Sequence, residues 1–138
     1  MISIIICTHS PLASSLKSTA EMIFGKTERI SCLELSEGGD MIVFSTKIKA
    51  QYKQDLEEGY QPIIMVDIPN ASPFNASILA LAEYKEARIL TGINLPLLLQ
   101  VLVQQTYGDY DTFDFEHLVV RTRESIQVVQ VKDFLESE

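Results

Sequence analysis

Three observations predict an α/β fold, a doubly wound, mainly parallel four-stranded sheet with helices on both faces. Short apolar runs rich in β-branched residues alternate four times with stretches whose apolar residues recur at helical spacing. The strand-like runs lack polar alternation, as expected of strands covered on both faces. The intervening segments are long enough for right-handed β-α-β crossovers.

Taken in order, Ile2 to Cys7 reads as the first strand. Ser10 followed by Pro11 reads as an N-cap with proline at the first helical position. Leu12, Leu16, Ala20 and Ile23 give that helix its stripe, and Gly25 closes it. Ile30 to Leu35 is the second strand. Asp40 caps a helix whose buried stripe is Met41, Phe44, Ile48, Tyr52 and Leu56. Pro62 to Ile68 is the third strand. Pro69-Asn70-Ala71 then turns into Ser72-Pro73, a second Ser-Pro helix start, with Phe74, Ile78 and Leu81 facing inward. Ala87 to Ile93 is the fourth strand, and a helix runs from Pro96 to about Tyr107. Gly108 to Asp114 reads as an acidic linker, Phe113 to Glu124 as a helix and Ser125 to Val131 as a final short strand.

The 138 residues suit a single domain, with a main α/β unit over 1–107 and a linker, helix and strand over 108–138. Eleven Lys and Arg against nineteen Asp and Glu give a net charge of −8, a field that repels nucleic-acid backbones and anionic lipid. No basic segment precedes the first strand, and the longest apolar stretch, Leu95 to Val103, falls well short of the ~20 residues a bilayer span takes. A cytoplasmic protein is expected. Cys7 and Cys32 lie in apolar runs without metal-ligand spacing and read as buried structural thiols. Asp109, Asp111 and Asp114 lack the glycine and terminal glutamate of an EF-hand loop and read as a solvated linker. His117 has no partner at ligand spacing and reads as a half-exposed structural histidine.

In open α/β sheets, ligands bind beyond the carboxyl ends of strands, where strand order reverses. His9 follows the first strand, and Asp67 ends the third. If those strands are neighbours, both side chains face one crevice, and both Ser-Pro helix starts aim N–H groups into it. Helix N-termini accept phosphate. A phosphohistidine site follows. Nε2 of His9 attacks phosphorus, Asp67 accepts from Nδ1–H, and Ser72 with adjacent amides holds the phosphoryl oxygens. Ser10 is the second candidate phosphate-binding side chain. The same residues also fit a histidine capping a turn and an aspartate capping the next loop.

Three anchors carry a family resemblance: Thr8-His9 after a strand, Val66-Asp67 followed by Ser72-Pro73-Phe74-Asn75-Ala76, and Gly92-Ile93-Asn94-Leu95-Pro96-Leu97. Over nearly its whole length the chain resembles the IIA component of the mannose-type (mannose/fructose/sorbose) bacterial sugar phosphotransferase system. Ser10 stands where that family usually has glycine, and Asn70-Ala71 where it commonly has Gly-Gly. The resemblance implies a phosphotransferase that takes a phosphoryl group on His9 from the histidine phosphocarrier protein. The IIB component would receive it and serve the membrane IIC and IID components. No metal or organic cofactor is implied. Because the sequence ends without the IIB domain some relatives carry, a stand-alone subunit is expected. A homodimer that exchanges the C-terminal strand is implied as well. The competing reading is a non-catalytic flavodoxin-like module that binds an anionic metabolite in the same crevice. A receiver domain is disfavoured, because Cys7-Thr8-His9 replaces the acidic pair such domains place after strand one.

Overall fold

The computed structural model describes residues 1–135. Its elements follow in the order β1 (Ile2–His9), α1 (Leu12–Phe24), β2 (Ile30–Leu35), α2 (Met41–Glu57), β3 (Gln61–Val66), α3 (Ser72–Ala80), β4 (Ile89–Leu90), α4 (Leu95–Tyr107) and α5 (Phe115–Arg123). Short 3₁₀ turns lie at Tyr110–Thr112 and Val131–Phe134. The sheet is parallel throughout, in the order β2-β1-β3-β4. The expected α/β, doubly wound architecture is therefore the one observed.

Strand pleating sorts the apolar residues. Ile2, Ile4, Ile6, Ile63 and Met65 point to one face, beneath Ala13 and Ala20 of α1, Leu98, Val101 and Leu102 of α4, and Leu118 of α5. Ile5, Cys7, Ile64 and Val66 point to the other, beneath Phe44, Ile48 and Tyr52 of α2 and Ala76 and Ala80 of α3. Burying each large side chain contributes about 1.5–3 kcal/mol relative to leaving it in water. Because β1 and β3 are covered on both faces, they carry most of this gain and form the rigid centre of the molecule.

The chain leaves β1 for β2 on one side and returns to β3 on the other. Strand order thus reverses between β1 and β3. The helices that follow these two strands, α1 and α3, lie on opposite faces and open a crevice at the carboxyl ends.

Several boundaries differ from the sequence expectation. The first helix begins at Leu12 with Pro11 as its cap residue, not at Pro11 with Ser10 as cap. Thr8 does the capping instead, its Oγ1 accepting from Ala13 N–H at 2.9 Å. Leu12 and Ile23 are exposed, and Ala13 takes the buried position that a stripe built on Leu12 misses. In α3 the cap residue is Ala71, so Ser72-Pro73 are its first two helical residues, and Ile78 faces solvent while Ala76, Ser77 and Ala80 face the core. The expected Ala87–Ile93 strand shrinks to Ile89–Leu90, because an edge strand with one neighbour forms ladder bonds only where β3 runs alongside it. Cys32 is only half-buried, since β2 is the opposite edge.

The tail departs most. Rather than leading away, Gly108 to Asp114 folds back, with Tyr110, Phe113 and Phe115 stacked on one another and packed against the α4 side of the core. Asp109 and Asp114 are not free linker charges, for they cap the 3₁₀ turn and α5 by accepting from the N–H groups of Tyr110 and His117. Ser125–Val131 forms no strand in the single chain. It has no ladder partner among the described residues, and Ile126, Val128 and Val131 lie exposed.

Candidate functional site

His9 is the last residue of β1, and Asp67 is the first beyond β3. Direct pairing of the two strands, with Cys7 opposite Val66, brings these side chains together. One carboxylate oxygen of Asp67, Oδ2, accepts from the His9 backbone N–H at 2.9 Å and lies 2.7 Å from His9 Nδ1. The other, Oδ1, accepts from the Ile68 N–H at 2.9 Å. Burial pushes the Asp67 carboxyl up, but the His9 backbone and ring donors and the Ile68 N–H outweigh it and hold it below the usual aspartate range. The aspartate is thus an acceptor at neutral pH, and Nδ1 must be the nitrogen that carries the proton. In the neutral ring this leaves Nε2 with a free lone pair. The imidazole is about half exposed while the Asp67 side chain is 8% exposed, so the partner is fixed and the ring is open to the crevice.

The second wall of the crevice is the start of α3. Asn70 adopts a left-handed backbone, φ +67°, a conformation asparagine tolerates better than most residues. Its carbonyl accepts from the Asn75 side-chain amide at 3.3 Å. Ala71 stays extended at φ −93°, so the loop asks only one of its two non-glycine residues for a positive φ. Among the described residues, the N–H groups of Ser72 and Phe74 meet no protein acceptor, and Pro73 between them has none to offer. Ser72 is half-buried at this helix end, whereas Ser10 is exposed and its N–H donates to Leu35 O at 3.1 Å.

The turn after β4 braces the site from behind. Gly92 takes φ +71°, and Ile93 N–H donates to Val66 O at 3.0 Å, fixing the strand end that carries Asp67. Asn94 caps α4 by accepting from Leu97 N–H at 2.8 Å. Cys7, next to the site but buried beneath α3, has its thiol pushed up to about 12, chiefly by burial, and is not a nucleophile at neutral pH.

Of the residues singled out from the sequence, His9 and Asp67 meet directly, and Ser72 is the first residue of the helix that follows the strand before Asp67. His117 is exposed on α5 and takes no part. Among the described residues, no group of three or more His, Cys, Asp or Glu is placed to hold a metal ion. Likewise, no helix is long and apolar enough to cross a membrane. Sequence reasoning missed Thr8 as the α1 cap and Glu34, whose Oε2 accepts from the Ser14 N–H and hydroxyl at 2.8 and 2.7 Å. The signal for Glu34 was available, a lone carboxylate in the apolar run Ile30–Leu35, the same kind of signal that marked Asp67.

The family model described as EIIA-man, PTS system fructose IIA component, matches residues 3–112, a span that includes every residue of the crevice. The chain belongs to this family, the mannose-type IIA components of the sugar phosphotransferase system. Among relatives of this IIA family, the fructose-specific EIIA component of Bacillus subtilis is 32% identical over 102 residues, 74% of this chain and 69% of that protein. The mannose-specific EIIAB component of Escherichia coli K12 is 31% identical over 134 residues, 95% of this chain. This chain spans only 40% of the length of that two-part protein. The crystal structure of a PTS IIA protein associated with the fucose utilization operon of Streptococcus pneumoniae aligns with a TM-score of 0.80 at 28% identity. That alignment covers 98% of this chain and 96% of the other.

The site of this IIA component makes a pH-dependent contribution to stability. Because the folded-state pKa of Asp67 is depressed, its stabilisation is fully present above the unfolded aspartate value and is lost as pH falls through the folded one. The urea-midpoint advantage of the wild type over Asp67→Asn should shrink progressively as the solution is made more acid than about pH 5. A difference that is the same at all pH values contradicts the assignment.

Proposed function

We propose that this chain is a phosphoryl carrier of the sugar phosphotransferase system. His9 accepts a phosphoryl group from the histidine phosphocarrier protein and passes it to a IIB component, upstream of the membrane IIC and IID components. The observation that supports this reading is the 2.7 Å contact of Asp67 with Nδ1, which leaves Nε2 unprotonated in the neutral ring.

In the forward step the Nε2 lone pair attacks phosphorus and a new N–P bond forms. The N–P bond of the donor phosphohistidine breaks, and its electron pair returns to the donor ring. The proton on Nδ1 stays between the ring and Asp67, whose negative charge offsets the positive charge that develops on the imidazole. The N–H groups of Ser72 and Phe74, with the Ser72 hydroxyl, receive the phosphoryl oxygens at the positive end of α3. Ser10, the residue after His9, supplies a second hydroxyl. Transfer to IIB is the same displacement with His9 as leaving group. Neither displacement calls for a metal or organic cofactor.

The active unit in this reading is a homodimer. The sequence Ser125–Val131 is rich in β-branched residues, and its apolar side chains are exposed in the single chain. An edge of a second copy's sheet offers the ladder it lacks, and mutual exchange of one element closes a symmetric pair.

Incubation with phosphoenolpyruvate, the general phosphotransferase enzyme and the phosphocarrier protein, followed by intact mass, tests the carrier role. One acid-labile phosphoryl group should appear, persist in His117→Gln and vanish in His9→Gln. In Asp67→Asn transfer should slow by about tenfold or more, the reach of an orienting and charge-stabilising group. An unmodified wild type, or an anion held without a covalent bond, contradicts the carrier role, and the second result indicates a metabolite-binding module. For the dimer, the full chain should sediment as a pair and a chain ending at Glu124 as a monomer. A truncated chain that remains dimeric contradicts strand exchange.

A further inference from the structure

Two helices start at the crevice; at α1 the Leu12 N–H alone is without a protein acceptor among the described residues, whereas α3 leaves a wider opening. Among the first N–H groups of α1, Ala13 donates to Thr8 Oγ1 at 2.9 Å, Ser14 to Glu34 Oε2 at 2.8 Å, and Ser15 to Pro11 O at 3.2 Å. The Ser14 hydroxyl donates to the same Glu34 oxygen at 2.7 Å. A carboxylate of the chain itself thus stands where an anion would bind. At α3, by contrast, the Ser72 and Phe74 N–H groups are without protein acceptors among the described residues.

Strand register puts this carboxylate near the reacting ring. Glu34 is the cross-strand partner of Thr8, and the next pair is His9 with Leu35. The Ser10 N–H to Leu35 O bond locks the two strand ends together just past that point. The Ser14 hydroxyl, and after it the Ser14 backbone N–H, hold the Glu34 carboxyl below the usual glutamate range, so it is charged at neutral pH. A phosphoryl group on His9 adds up to two negative charges on the neighbouring strand.

We propose that Glu34 is a positioning residue that occupies the first turn of α1 and repels the phosphoryl group there, so that the group is held chiefly at α3 and remains easy to pass on. The proposal rests on the carrier reading of His9. A fixed negative charge one strand away raises the free energy of the phosphorylated form and leaves the unphosphorylated form untouched. It therefore pushes the exchange toward the onward acceptor. A helix end left open at α1 would do the opposite, holding the phosphoryl oxygens from both sides and trapping the group.

The test is the equilibrium between phosphocarrier protein and the full chain, read by intact mass of both, with melting temperature measured in parallel. Glu34→Gln keeps the size and a hydrogen-bond acceptor for Ser14 but removes the charge. The phosphorylated fraction should rise, with the equilibrium constant shifting about three- to tenfold toward this chain, the scale of one screened charge near a surface. Glu34→Ala removes charge and hydrogen bonds together. It should shift the equilibrium as Gln does while lowering the melting temperature further. Ser14→Ala keeps the charge and the backbone bond, and should leave the equilibrium within twofold of wild type. If the wild type is phosphorylated and both Glu34 variants share its equilibrium, the role of Glu34 is structural and the proposal fails while the carrier reading stands. If the wild type takes no phosphoryl group, both fail.

Discussion

Asp67 is held by three N–H groups, those of the His9 backbone, the His9 ring and Ile68, and the geometry of the crevice depends on that grip. The carboxylate cannot rotate without abandoning a donor, and the imidazole cannot rotate without abandoning the carboxylate. A side chain on one strand end thereby becomes a fixed reference for the ring on the next. Its position in turn depends on the parallel pairing of β1 and β3, both covered on two faces by apolar side chains. The hydrophobic core fixes the strands, the strands fix the pair, and the pair selects which ring nitrogen is available.

Much of this was legible in the sequence because the physics behind it is local or periodic. The runs Ile2–Cys7 and Ile63–Val66 have no polar alternation, and two-sided burial is the consequence. Asp67 is conspicuous as a carboxylate at the end of such a run. Asp40 announces its helix by capping chemistry and caps it as expected, whereas Asn94 caps α4 without having been singled out for that role. Boundaries that depend on neighbours were not legible. Thr8 caps α1 from within a strand, which the pair Ser10-Pro11 disguises. The fourth strand is cut to Ile89–Leu90 by the reach of β3, which no pattern within residues 87–93 encodes. The segment Ser125–Val131 has strand composition but no ladder in its own chain, and composition cannot name a partner.

The loop between β3 and α3 shows how backbone demands shape sequence tolerance. Asn70 carries the one positive φ of the loop and Ala71 an ordinary extended conformation, so neither position demands glycine. Asn75 then ties the loop back through the Asn70 carbonyl. On the opposite face, Thr8 and Glu34 take up two of the first N–H groups of α1. In the proposed carrier role the crevice is asymmetric, with a wall that would receive negative charge and a wall that already holds one. Such asymmetry suits a carrier, which must bind a phosphoryl group well enough to take it and loosely enough to give it up.

The pairing of Asp67 with Nδ1 is tested most directly by nitrogen-15 NMR of the His9 ring, before and after phosphorylation. The free protein should show the proton on Nδ1 and a bare Nε2 in the neutral ring, and the phosphorylated protein should show phosphorus on Nε2 with the Nδ1 proton retained. A neutral ring protonated at Nε2, or phosphorus on Nδ1, would contradict it.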